Sequence, residues 1–168
     1  MYAEEALLRT RALRAALTHR TDALDGTKPL ELMPDGEHVT AAMLADHFEV
    51  DAVALRRAVR KHAGELGGCG YRRLQGEELR GFLAVNMPGA MAARRQLGVF
   101  TRQAVLVLAM LLRGSEVARR VRQRLLGSVC AQGLLSASAQ AEGDPSEQAM
   151  FLAIGTPEQI ADVLRRGL

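Results

Sequence analysis

Residues 40–62 read TAAMLADHFEVDAVALRRAVRKH and contain two short helical patterns that meet at a tight turn. Apolar residues recur at helical spacing on both sides of the turn: Leu44, Ala45 and Phe48 before it, and Leu55, Ala58 and Val59 after it. Asp51 can cap the second helix, because its carboxylate accepts a backbone N–H that a helix start leaves unpaired. Two such helices around a tight turn are typical of a helix-turn-helix.

The turn departs from the common pattern at Glu49, where a helix-turn-helix usually has Gly. The residue at this position tends to adopt a left-handed backbone, which costs a non-glycine residue roughly 1 kcal/mol. Either the turn is slightly longer than usual, or the protein tolerates the strain.

Charge is distributed unevenly along the 168 residues, although the net charge is only +3. Residues 1–50 carry 5 Lys+Arg and 9 Asp+Glu, residues 51–126 carry 15 and 5, and residues 127–168 carry 2 and 5. A basic middle between acidic ends is the pattern of a polyanion-binding segment. The alternative is a solvated, Arg-rich surface without a partner.

The cationic residues on the solvent face of the second helix predict a DNA-binding surface. Arg can donate twice to guanine in the major groove, so Arg56 and Arg57 are predicted base contacts. Arg60 and Lys61 lie one turn later and are predicted phosphate contacts. Thr40, which is predicted to cap the first helix, is a further candidate phosphate contact. In the alternative, Arg56 or Arg60 pairs with a nearby carboxylate; the candidates are Glu49, Asp51 and Glu65. The full predicted DNA-binding set is Thr40, Asp51, Ala52, Val53, Arg56, Arg57, Arg60, Lys61, Arg72 and Arg73.

The segments on either side of this pair have simpler patterns. Residues 3–18 predict an amphipathic helix, and residues 30–39 predict a short hairpin or an extended pair around Pro34-Asp35-Gly36. Residues 71–74 read as a short strand that carries Arg72 and Arg73. This strand is either a wing that lies on the DNA backbone or an ordinary connector.

A second group of elements follows a loop at residues 86–91. Residues 94–100 predict a strand, after which Thr101 caps a helix so apolar on all sides that it must be buried. Ser115 caps the next helix, whose four arginines point in several directions. These arginines form either a secondary phosphate surface or an interdomain clamp, with the clamp slightly favoured; they are Arg119, Arg120, Arg122 and Arg124.

Together the patterns predict a mainly α fold with short β-strands (α+β), in which a helix-turn-helix, with or without a wing, precedes a helical subdomain. Residues 1–85 form the DNA-binding region, residues 86–127 the strand, buried helix and Arg-rich helix, and residues 128–168 a tail. Helices at residues 3–18 and 157–166 are candidates for a homodimer contact, because helix-turn-helix proteins commonly read two half-sites. The tail is the candidate element for a protein partner.

Several classes of protein fit the sequence poorly. Cys69 and Cys130 are isolated, which argues against a zinc ribbon or a disulfide framework. The longest apolar run, at residues 104–112, is too short to span a bilayer, and the N-terminus lacks a signal-peptide core. No catalytic motif is present, and neither Lys28 nor Lys61 follows a carboxylate by two residues, as nuclease sites of the D…E-x-K type require. We therefore expect a cytoplasmic, nucleoid-associated protein that is not an enzyme and needs no cofactor, metal or membrane.

Three blocks of the chain resemble a known family. They read RTDALDGTKPLELMPDGEHVTAAMLADHFEVD at residues 20–51, HAGEL…GYRRLQGEELRGF within residues 62–82, and LGVFTRQAVLVLAMLLRGSEVARRVRQRLL at residues 97–126. These blocks resemble actinobacterial helix-turn-helix DNA-binding proteins related to phage antirepressors of the Bro-N and Rha type. The resemblance covers residues 20–127, and its most specific part is AMLLRGSEVARRVRQRLL.

The resemblance implies sequence-specific binding of double-stranded DNA and control of transcription, often linked to phages or plasmids. It leaves the operator and the regulated gene open, and it does not extend into the tail. The main alternative is a protein-interaction module, in which the helix-turn-helix mediates partner binding or self-association and the Met- and Leu-rich residues 104–126 form the interface.

Overall fold

The computed structural model describes residues 2–90 and 94–139. In chain order the elements are α1 (Tyr2–Arg9), α2 (Arg11–Leu17), α3 (Asp22–Asp25), β1 (Val39–Thr40), α4 (Ala41–Phe48), α5 (Ala52–Lys61), α6 (Ala63–Gly67), β2 (Arg72–Gln75), α7 (Gly76–Asn86), β3 (Gln96–Phe100), α8 (Arg102–Leu111) and α9 (Glu116–Ala139). A 3-10 turn at Pro88–Ala90 follows α7. The fold is mainly helical with one small sheet, which confirms the predicted α+β class.

The sheet has three antiparallel strands in the order β1-β3-β2. Helices α4, α5 and α6 lie between β1 and β2 in the chain, whereas α7 lies between β2 and β3. The helix pair α4 and α5 thus lies between the first two strands in the chain, and β3, the last strand in the chain, lies in the middle of the sheet.

Both faces of the sheet pack against hydrophobic residues. Successive side chains of a strand point to opposite faces, and β3 alternates accordingly. Phe100 belongs to the larger hydrophobic cluster, together with the helix pair. Val99 and Leu97 belong to a smaller cluster with Leu74 of β2 and Leu79 of α7. The sheet therefore separates the helix-turn-helix from α7.

Helix α8 lies at the centre of the larger cluster. Every residue from Ala104 to Leu111 is buried, which confirms that this helix is covered on all sides. It contacts α1, α5, α6, α9 and β3. The cluster thus takes residues from both sides of the boundary predicted at residue 86, including Leu44 and Val105. The helix-turn-helix is built onto α8, and the two segments share one hydrophobic interior.

Two predictions about the N-terminal region are wrong. The helix predicted at residues 3–18 is two helices, because Thr10 adopts an extended backbone between α1 and α2. The hairpin predicted at residues 30–39 is only a turn, in which the Met33 N–H donates to the His38 carbonyl at 2.8 Å. The strand partner of β1 is β3, far along the chain, so local turn signals could not reveal it.

The C-terminal predictions are affected in two ways. The sequence of residues 127–141 is helix-like but weakly patterned, and helix α9 continues through it as far as Ala139, across the boundary predicted at residue 127. The helix predicted at residues 157–166 lies outside the described residues.

Candidate nucleic-acid interface

The turn between α4 and α5 is tight, and Glu49 adopts the left-handed conformation with φ 53° and ψ 46°. The Val50 N–H donates to the Ala45 carbonyl at 3.0 Å, and the Glu49 N–H donates to the Asp46 carbonyl at 3.3 Å. This pair of bonds is the Schellman pattern that closes helix C-termini. Of the two alternatives for Glu49, the strained turn is therefore the one that the protein adopts.

Asp51 positions the start of α5. Its Oδ2 accepts the N–H groups of Val53 at 3.0 Å and Ala54 at 3.3 Å, which confirms the predicted cap. The carboxylate is therefore bonded to the first turn of its own helix. Asp51 therefore fixes the start of α5, and within the predicted DNA-binding set its carboxylate is already bonded to backbone N–H groups.

Helix α5 is attached to the protein along one edge. Leu55 and Val59 are its buried residues. At 100° per residue, Val53, Arg57 and Arg60 fall within about 60° of one another on the opposite side. Arg56 and Lys61 lie at the two edges of that outer face. Five exposed side chains therefore lie on the side of α5 that faces away from Leu55 and Val59.

The cations of α5 are not neutralised by carboxylates within residues 2–90 and 94–139. Arg56 Nε donates to the Ala52 carbonyl of its own helix at 3.2 Å. The neighbouring carboxylates have other partners: Glu49 pairs with Lys28 at 3.4 Å, and Glu65 with Arg14 at 2.7 Å. The predicted alternative, in which Arg56 or Arg60 pairs internally, is therefore absent from this structure.

The pair of Glu65 with Arg14 explains why α5 is left free. Arg14 is buried and donates through both Nε and Nη2 to the Glu65 carboxylate, at 2.7 and 2.8 Å. Its Nη1 also donates to the Leu7 carbonyl at 2.7 Å. A carboxylate one turn beyond Lys61 is thereby directed into the protein, toward α1 and α2.

The strand β2 brings Arg72 and Arg73 to opposite faces of the sheet. Arg72 Nη1 lies 3.1 Å from a carboxylate oxygen of Glu78 in the first turn of α7. Arg73 is exposed and lies opposite Gly98, with no ion pair to the part of the chain that the structure describes. Arg73 is therefore the available cation of the predicted wing, and Arg72 is partly neutralised.

Two further cations near the wing were missed by the sequence reasoning. Arg94 and Arg95 are exposed and immediately precede β3, whose first residue Gln96 lies opposite Gln75 at the end of β2. The signal was a pair of arginines at the start of the strand that pairs with β2. These arginines can be placed beside Arg73 only when the pairing of β3 with β2 is known.

Thr40 is not available as a phosphate contact, contrary to prediction. The residue is 5% exposed, and its hydroxyl accepts the Met43 N–H at 3.4 Å as the cap of α4. Its strand position opposite Val99 places it inside the sheet. The capping prediction is confirmed, and that role is what removes the side chain from the surface.

Arg122 is likewise excluded from the surface. It is 2% exposed, and its Nε and Nη2 contact the Glu4 carboxylate at 2.8 and 2.6 Å. Its Nη1 donates to the carbonyls of Ala109 and Leu112, at 2.9 and 2.6 Å. A cation is favoured at the C-terminal end of α8, where carbonyls lack helical partners. This side chain therefore links α9, α8 and α1, which is the predicted clamp rather than a phosphate contact.

The other arginines of α9 are more exposed but also have partners. Arg124 Nη1 donates to the Gly26 carbonyl at 2.9 Å. Arg119 and Arg120 lie 3.6 and 3.8 Å from the Glu116 carboxylate. The predicted secondary phosphate surface is thus reduced to Arg119 and Arg120, and both are partly neutralised.

The titratable groups near this surface show no activated side chain. Burial, with a smaller contribution from Lys28, lowers the pKa of His47, whose Nε2 has no hydrogen-bond partner in the described residues. Burial and then Glu65 raise the pKa of the Cys69 thiol, which disfavours a reactive thiolate. Residues 2–90 and 94–139 contain no group of three His, Cys, Asp or Glu side chains placed to hold a metal.

Helix lengths and apolar content within the described ranges are also insufficient for any helix to cross a membrane.

Searches for related proteins found no matching family model, no matching curated protein and no matching solved structure. The resemblance to antirepressor-related proteins therefore stays a prediction.

Proposed function

We propose that this protein is a sequence-specific, double-stranded DNA-binding regulator of transcription that places α5 in the major groove. The observation that carries this proposal is the outer face of α5. Four cationic side chains there have no carboxylate partner in the described structure, and the nearby carboxylates bond elsewhere. A surface of this kind favours a polyanion as its partner.

The dimensions of α5 suit the groove. Its 10 residues make a rod about 15 Å long, and the diameter of a helix with its side chains, about 10–12 Å, fits the major groove of B-DNA, which is about 12 Å wide. Arg57 lies at the centre of the outer face, so it is the candidate for a bidentate contact to guanine. Arg60 lies beside it, while Arg56 and Lys61 lie at the edges, where phosphates flank a helix in the groove.

The sheet supplies a second contact in this proposal. Arg73, Arg94 and Arg95 lie on or next to the strands that extend from the helix pair. In a winged helix-turn-helix such a position meets the phosphate backbone beside the groove. These residues would fix the register of α5 on the duplex without reading bases.

The biological setting follows from the resemblance described above. We assign the protein an antirepressor-like role on cytoplasmic, nucleoid DNA, as a homodimer that reads two half-sites. Half-sites recognised by such dimers lie about 34–36 Å apart, one turn of DNA. The segment after α9 is the element that we assign to a protein partner.

The competing function, a protein-interaction module, loses part of its expected interface. In that hypothesis, the Met- and Leu-rich residues 104–126 form the docking surface. Residues Ala104 to Leu111 are buried within the protein's own interior, so they are not available to a partner. A helix-turn-helix that binds a protein through α5 remains the alternative, and the test below distinguishes the two.

The test is the salt dependence of binding by the full chain. Affinity for a labelled random 30-base-pair duplex is measured by fluorescence anisotropy at several salt concentrations, and bound genomic fragments are then sequenced. We expect affinity to fall with a log–log slope of about −0.9 for each phosphate contacted. A protein that retains no salt-dependent affinity for any duplex or genomic fragment contradicts the proposal and favours the interaction module.

A further inference from the structure

An apolar side chain lies at the N-terminal end of the outer face of α5, on the same side as Arg57 and Arg60. Val53 is 53% exposed and lies one turn before Arg57 on the same side of the helix. Among the residues whose side chains are described, the other exposed large hydrophobic residue is Val85 on α7, at 66%. A single exposed valine is ordinary on a protein surface, so what distinguishes Val53 is its position on the cationic helix.

The surroundings of Val53 leave it open to a flat partner. It is the second residue of α5, and the N-terminal residues of a helix in the major groove are those that reach base edges. Its helical neighbours on the C-terminal side are Arg56 and Arg57, and Arg56 Nε donates to the Ala52 carbonyl, yet the Val53 side chain stays 53% exposed. The Asp51 carboxylate is directed to backbone N–H groups and does not cover it.

The side chain is also fixed before binding. Valine is β-branched and has one strongly preferred χ1 rotamer in a helix. The two methyl groups of Val53 therefore have a defined position, and little conformational entropy is lost when they meet a partner. A rigid hydrocarbon surface at this position suits recognition of another hydrocarbon group.

The major groove displays one such group, the C5-methyl of thymine. We propose that Val53 packs against a thymine methyl and makes α5 selective for thymine at one position of each half-site. This inference rests on the proposed DNA-binding function. Val53 and Arg57 are four residues apart, about 6 Å along α5. The thymine should therefore lie roughly two base pairs from the guanine that Arg57 contacts.

The experiment removes the methyl group without changing the hydrogen-bonding edge of the base. A preferred site is first selected from a random duplex library with the wild-type full chain. Each thymine of that site is then replaced in turn by deoxyuracil. We expect one position per half-site to lose roughly fourfold in affinity, the effect of about one buried methylene. Deoxyuracil at the other positions should bind as tightly as thymine.

Val53→Ala tests whether this side chain is responsible. The variant should bind the thymine and deoxyuracil sites with equal affinity, because the contact that distinguishes them is gone. Val85→Ala is the matched control: it truncates the other exposed valine, on α7, and should keep the full thymine preference. Both substitutions are at exposed positions, and thermal unfolding of each variant confirms that the protein stays folded.

The outcomes separate this inference from the proposed function. Sequence-specific binding that is insensitive to every deoxyuracil overturns the inference and leaves DNA binding intact. A methyl preference that survives in Val53→Ala also overturns it, because another residue then reads the methyl. A wild-type protein that binds no duplex overturns both together.

Discussion

Helices α5 and α9 each carry four cationic side chains within a few turns, but the two sets of side chains differ in their burial and in their bonding partners. In α5, Arg57 and Arg60 point outward and have no carboxylate partner in the described structure. In α9, Arg122 is buried against Glu4, and Arg124 bonds to a backbone carbonyl. A count of charges therefore says little about a binding surface. The positions of neighbouring carboxylates and carbonyls decide which cations remain available.

Removal of the buried cation should have the largest effect. Arg122→Met keeps most of the volume but leaves the Glu4 carboxylate and two carbonyls at the end of α8 without their donor. We expect the free energy of unfolding to fall by about 3–5 kcal/mol, the usual effect of breaking a buried pair. Urea denaturation followed by circular dichroism measures this change.

The matched control on the same helix is Arg120→Met, which removes an exposed cation. It should change the free energy of unfolding by no more than about 0.5 kcal/mol. If the two variants lose stability equally, the contrast between buried and exposed arginines of α9 is incorrect.

The reverse pattern is expected for DNA binding. Arg57→Ala should weaken binding to a selected site by about 1–3 kcal/mol, roughly 5- to 150-fold, if Arg57 donates twice to guanine. Its stability should stay close to wild type, because the side chain makes no ion pair in the described structure. Fluorescence anisotropy measures the affinity, and Arg120→Ala is the control with equal loss of charge. Equal weakening by both variants would show that only net charge matters.

The turn before α5 offers a smaller, stabilising change. Glu49→Gly should raise the free energy of unfolding by about 0.5–1 kcal/mol, because Gly adopts the left-handed conformation without the Cβ penalty. Glu49→Gln separates the backbone effect from the exposed Lys28 pair, since it removes the charge and keeps the strain. If Gln stabilises the protein as much as Gly does, charge rather than backbone strain explains the gain.

Acid should test two partly or fully buried histidines, His47 in α4 and His62 at the end of α5. Burial, and secondarily Lys28, lower the pKa of His47, and burial also lowers that of His62. The unfolded chain, in which a histidine has a pKa of about 6.5, then binds protons first. This contribution to stability is complete above that pH and is lost as the pH falls below it. Urea midpoints measured from pH 8 to pH 5 should decline, and they should decline less in a His47→Gln, His62→Gln double variant.

Local features of the fold could be predicted from the sequence, because the groups involved are close in the chain. The caps at Asp51, Thr101 and Ser115 are confirmed, as is the burial of α8. Each depends on side chains within one helical turn, or on composition alone. Apolar spacing was likewise sufficient to place α4 and α5.

Features that depend on distant residues could not be predicted. The partner of β1 lies 60 residues away, and the carboxylate that neutralises Arg122 lies 118 residues earlier in the chain. Thr40 was predicted both as a cap and as a phosphate donor, and only the sheet shows that the capping position is buried. For the same reason, Glu65 was a predicted partner of Arg56 or Arg60, and only the structure shows that it pairs with Arg14, 51 residues away.

The hydroxyl of Ser115 has a consequence for engineering the chain. It donates to the Phe48 carbonyl at the end of α4 at 2.6 Å and accepts the Ala118 N–H at the start of α9 at 3.0 Å. One oxygen thus satisfies an unpaired group at each of two helix ends. The neighbouring Arg113 and Gly114 are exposed, which would ordinarily mark a permissive place to insert a tag or a new terminus. An insertion between Gly114 and Ser115 would disturb both helix ends at once, so this connection should not tolerate one.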